Sequence, residues 1–142
     1  FPKDLVEVNN FYNQDELNLP LISNIIGSNN EHLQWTINQL RSMKKNNNLK
    51  TIVLVGAAFK EDTDDLRNSP TLDIYNVLNE MGEEVMILDT EIDVPNYQSV
   101  KQLDEVPSNS LLSIMYPLKE ELNINISNYA NNNQCIIYYP WS

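Results

Sequence analysis

The sequence predicts an α/β protein in which a helical N-terminal segment precedes a small, doubly wound parallel sheet. Three observations predict it. Four short apolar runs recur along the chain, TIVLVG, EVMILD, LLSIMY and QCIIYY. Such runs, without polar alternation, suit strands covered on both faces. Helical patterns separate them, and a strand, a crossover helix and a parallel strand form a right-handed βαβ unit. A helical pattern over Leu19 to Lys45 also precedes the first strand.

In that leading segment Ile22, Ile25, Ile26, Leu33, Ile37 and Leu40 recur at three- and four-residue steps, interrupted once by Asn29. Lys44 and Lys45 fall in its last turn, where positive charge suits the helix dipole. KKNNNLK then reads as a linker, which places a boundary between residues 1–46 and 47–142. TIVLVG is the first strand, and Ser69-Pro70 opens the next helix with Ser as cap and Pro at its first position. Leu72, Ile74, Tyr75, Val77, Leu78 and Met81 form its apolar face, and Gly82 stops it before EVMILD. Weaker helical material is expected at about Tyr97–Leu103 and Glu120–Tyr129, before the strands LLSIMY and QCIIYY respectively.

The 142 residues are 42% hydrophobic, enough for one ordinary core. A formal net charge of -11 argues against nucleic acid or an anionic membrane as partner, although a few placed cations can still hold a small anion. No apolar run reaches the roughly 18–20 residues that cross a bilayer. The lone Cys135 excludes an internal disulfide, suits a reducing cytoplasm and reads as a small buried apolar residue. His32 reads as a surface residue, no metal site is expected, and Trp35 and Trp141 read as packing residues. The chain opens at Phe1 without a methionine, so we expect a piece of something longer.

Ligands of doubly wound sheets sit beyond the carboxyl ends of the strands. GAAFKEDTDDLRNSP leaves the first strand at that end and runs to a helix N-terminus. It holds Lys60 and Arg67, the only cations between Lys50 and Lys101. Two cations beside the free N–H groups of a helix start can hold phosphate; a solvated loop with surface ion pairs has the same spacing.

The stretch GAAFKEDTDDLRNSP followed by MGEEVMILD resembles the opening of the UDP-binding domain of the UDP-glucose/GDP-mannose dehydrogenase family. FPKD resembles the tetrapeptide that follows that family's nucleophilic cysteine, and LPLISNIIGSNNEHLQW its central dimerisation helix. The resemblance implies a Rossmann-like domain at 47–142, the end of a central helical domain at 1–46, and a homodimer through the 19–45 helix. It implies NAD as cofactor, bound mainly by a preceding domain, and a UDP-sugar as ligand. The parent chemistry so implied oxidises a primary alcohol of a nucleotide sugar to a carboxylate with two molecules of NAD, through covalent capture on the cysteine.

Residue by residue, the resemblance implies that Asp4 orients the hydrolytic water and that Lys3 meets the cofactor. Phe59 and Lys60 match the pair that meets the nucleotide sugar, and Arg67 an arginine at the NAD face. Read without the family, Asp4 also suits a helix cap, Lys3 an exposed lysine and Phe59 plain packing. The chain departs from the family pattern at Thr90, where proline is usual, at IMYPLKEEL, and at IIYYPWS, with no arginine after Arg67. Those departures support an alternative, a non-catalytic dimerisation or partner-binding module derived from the family. The cysteine and the dinucleotide domain lie outside this chain, so it is expected to be inactive alone.

Overall fold

The computed structural model describes residues 20–58, 66–67 and 69–140. Two compact units divide the chain, 1–36 and 37–142, and helix α1 (Pro20–Asn46) begins in the first and ends in the second. In the first unit His32 stacks on Trp35, with ring centroids 5.7 Å apart and planes 15° apart. His32 is exposed as expected, and Trp35, expected to pack, is 48% exposed.

The second unit continues with β1 (Thr51–Val55), α2 (Pro70–Glu80), β2 (Val85–Leu88) and β3 (Ser99–Val100). A 3-10 turn (Leu103–Glu105), β4 (Ser110–Ile114), α3 (Glu120–Asn132) and β5 (Ile136–Tyr138) complete it. All five strands are parallel, in the order β3-β2-β1-β4-β5. Strand order reverses between β1 and β4, so the sheet has its switch point at their carboxyl ends. The doubly wound α/β fold expected from the four apolar runs is the fold observed.

Register explains why those runs lack polar alternation. Val53 lies beside Met86 and Leu112, and Val55 beside Leu88 and Ile114. These six share one face with Val106, Ile126 and Ala130 in a single buried cluster, with Leu122 and Ile137 packed against it. Ile52, Leu54, Ile87 and Leu111 point to the opposite face and are equally buried. Fully buried Ile37 and Leu40 on α1, and Ile74 and Leu78 on α2, complete the core.

Several local expectations are corrected. KKNNNLK, expected as a linker, begins as helix: α1 runs through Asn46, Asn48 adopts φ 53°, Leu49 is buried, and its N–H donates to the Lys44 carbonyl at 2.9 Å. Met81 is 46% exposed and leaves the α2 face, which buries Thr71, Ile74, Tyr75 and Leu78. The helix expected at Tyr97–Leu103 is instead β3 and the start of the 3-10 turn. Ile87 and Asp89 donate backbone hydrogen bonds to the Gln98 and Val100 carbonyls, and Tyr97 packs edge-on against Tyr75. A two-residue strand is too short to show a period. A Gln102–Glu105 capping box closes the 3-10 turn. Cys135 precedes β5 and is only partly buried.

The end of α1 is clamped to the loop after α2. Gly82, at φ 76°, turns the chain, and Glu83 then accepts from Arg41 Nε and Lys44 Nζ, each at 2.8 Å. Hydrogen bonds from Arg41 and Lys44 hold the Glu83 carboxyl below its ordinary range. A lowered folded-state value means that the stabilisation is present above the unfolded carboxyl's titration and lost as pH falls through the folded one. Glu83→Gln should therefore cost about 0.5–1 kcal/mol at pH 7. Urea denaturation should show the gap to the unsubstituted chain closing below roughly pH 4.

Candidate functional site at the carboxyl rim of the sheet

The sequence after β1 is Gly-Ala-Ala, and its backbone is committed within the protein on almost every side. Gly56 N–H donates to the Leu88 carbonyl at 2.9 Å, and Ala57 N–H to Asp89 Oδ2 at 2.8 Å. The Gly56 carbonyl accepts from Thr71 Oγ1 at 2.8 Å, and the Ala57 carbonyl from Ser69 Oγ at 2.5 Å. Ser69 is thus no side-chain cap for α2, contrary to expectation: its hydroxyl ties the helix start to the turn. Ser69 and Thr71 are each 1% exposed, so these bonds exchange little with water.

Asp89 is the hub on the other side. Its Oδ1 accepts from the N–H groups of Glu91 at 3.0 Å and Ile92 at 2.9 Å, while Oδ2 holds Ala57. The carboxylate is 6% exposed and receives three backbone donors, so it shapes two loops at once. Gly56, at φ 99°, lies against the Tyr116 ring, and a Cβ built there would collide with that ring. Tyr116 follows β4, so the switch point between β1 and β4 is roofed by an aromatic ring.

A cleft opens beside this roof, lined among others by Gly56, Asp89, Glu91, Tyr116 and Lys119. Its volume of about 50 Å³ takes a few waters, far less than a nucleotide. Lys119 Nζ reaches Glu91 Oε1 at 3.3 Å across its mouth. Two carboxylates and one ammonium leave the cleft negative, which disfavours a phosphate inside. With the Gly56 and Ala57 N–H groups spent and the glycine roofed, the start of the β1 turn does not cradle a pyrophosphate closely.

The residues the sequence offers as ligand groups at this rim lie in the loop between β1 and α2. Of the residues expected there, Arg67 is described and exposed, three residues before Pro70, and it has an interaction partner. Phe59 and Lys60 lie outside the described residues, as do Lys3, Asp4 and Trp141. Sequence reasoning missed the roles of Asp89, Ser69, Thr71 and Tyr116. An acid closing the second strand and two hydroxyls around a helix-opening proline were the available signals.

Fold and rim together define a Rossmann-like α/β domain whose first turn is braced internally. The UDP-binding domain of the UDP-glucose/GDP-mannose dehydrogenase family matches residues 53–130. The chain belongs to that family. GDP-mannose 6-dehydrogenase of Pseudomonas aeruginosa is 26% identical over 126 residues, covering 77% of this chain and 28% of that enzyme. UDP-glucose 6-dehydrogenase of Bacillus subtilis is 29% identical over 89 residues, covering 63% of this chain and 19% of that enzyme. The chain thus spans less than a third of either relative. A crystal structure of a ternary complex of the Pseudomonas GDP-mannose dehydrogenase superposes on 98% of this chain and 35% of its own, with TM-score 0.73 and 22% identity.

Two expected outcomes test the brace. Asp89→Asn replaces one acceptor oxygen by an NH₂ facing backbone donors, and should cost about 2–3 kcal/mol by urea denaturation, with faster exchange of the Ala57 amide. Gly56→Ala should cost more than the roughly 1–2 kcal/mol of left-handed strain, and pairing it with Tyr116→Ala should recover the excess in a double-mutant cycle.

Proposed function

We propose that this chain is the C-terminal portion of an NAD-dependent nucleotide-sugar 6-dehydrogenase of the UDP-glucose to UDP-glucuronate type, binding the UDP-sugar and completing an interdomain active site. The family match over residues 53–130 carries this reading. The committed Gly56 and Ala57 N–H groups support it in a second way, since they leave phosphate contact to side chains such as those of the Lys60 and Arg67 loop.

In this reading Lys60 places its charge on the phosphate oxygens and Phe59 packs against the nucleotide sugar. Asp4 holds the water that hydrolyses the thioester, accepting its proton within hydrogen-bond reach. NAD is held chiefly by a domain preceding Phe1 and met from this chain by Lys3 and Arg67. The assembly is a cytoplasmic homodimer joined through the 19–45 helix, without nucleic-acid or membrane partners, and the isolated chain is inactive.

Calorimetry with UDP on the 142-residue chain tests the binding half. Loss of one charge-assisted contact in Lys60→Ala should weaken UDP about tenfold. Equal affinity in the two proteins would remove Lys60 from the site. No saturable binding by the unsubstituted chain would favour a non-catalytic module.

A further inference from the structure

Charge is segregated along this chain in a way the rim does not use. Residues 41–50 hold four of its nine cations and none of its twenty acids. Arg41, Lys44 and Lys45 fall on one helical face and, with Asn38, Ser42 and Asn48, line a groove of about 570 Å³. The groove borders Leu49, which precedes β1, and Glu83, which precedes β2. It therefore lies at the amino edge of the sheet, opposite the carboxyl rim.

A helix end attracts cations through its dipole, and that accounts for part of the cluster. The dipole amounts to about half a charge. The terminal carbonyls of α1 are already capped: Met43 accepts from Asn47 N at 3.1 Å, Lys44 from Leu49 N at 2.9 Å and Lys45 from Asn48 N at 3.2 Å. Three cations against the one Glu83 carboxylate leave two positive charges, well above what the dipole offsets. Glu83 also fixes the Arg41 and Lys44 heads at 2.8 Å, so their positioning entropy is spent before any ligand arrives. Lys45 is exposed and makes no ion pair among the described residues.

We infer that this groove binds a compact polyanion of the diphosphate class, held by Arg41, Lys44 and Lys45, with the Asn38, Asn48 and Ser42 side chains as neutral partners. The site is separate from the nucleotide-sugar rim. It places an anion against the loop that the Glu83 clamp holds, one turn from the end of α2.

The probe is inorganic pyrophosphate, titrated into the isotope-labelled chain at about 50 mM salt and followed by amide shifts. Saturable shifts are expected over residues 38–49 and at Glu83, weakening as salt rises toward about 0.2 M. Lys45→Glu should weaken binding about tenfold or more while keeping the native spectrum, and Lys45→Ala by a smaller factor. In Lys60→Ala the shifts over residues 38–49 and at Glu83 should be unchanged, whatever happens to shifts elsewhere. Shifts confined to residues near 56–58 and 66–69, loss of the 38–49 shifts in Lys60→Ala, or a Lys45→Glu titration identical to the unsubstituted chain would each overturn the groove site.

Discussion

The carboxylate of Asp89 is the constraint on which the carboxyl rim depends. It closes β2, sits almost out of water, and accepts three backbone donors from two different loops. A buried carboxylate satisfied by three N–H groups resists replacement, because a single lost partner leaves a charge or a donor without compensation. Ser69 and Thr71 then fasten the start of α2 to the same turn from the other side. The turn is held from β2, from α2 and, through Gly56 against Tyr116, from the end of β4. The Gly56 and Ala57 N–H groups are thereby committed inside the protein and are not offered to a ligand.

The strands were legible because the physics that buries them is local. Runs such as TIVLV and SLLSI are covered on both faces, so their composition alone marks them. Gly82 and Pro70 fixed the ends of α2 for similarly local reasons. β3 was illegible, since two residues paired to Ile87 and Leu88 owe their conformation to the neighbouring strand and not to themselves. The reach of Ser69 across to Ala57 was equally hidden: a serine before a proline looks like a cap, and only the packed turn offers it a better acceptor. At the candidate site, family resemblance pointed to the loop after β1, whereas the committed Gly56 and Ala57 N–H groups, the tyrosine roof and the role of Asp89 are long-range facts with no counterpart in spacing.

The two edges of the sheet are built on opposite electrostatic plans. Among the described residues of the carboxyl edge, Asp89 is held by the backbone, and Lys119 reaches the exposed Glu91. At the amino edge cations outnumber the single acid that gathers them. Such separation is not needed for folding, because exposed pairs contribute less than about 1 kcal/mol each and the core carries the stability. In a chain of net charge -11, this local positive surplus lies within a run free of acids from His32 to Lys60. Like charges crowded on one helix face repel at i,i+3 and i,i+4, a cost that Glu83 offsets for Arg41 and Lys44 but not for Lys45. The uncompensated charge is therefore at Lys45, on the open side of the groove, where an anion from solution would complete what Glu83 begins.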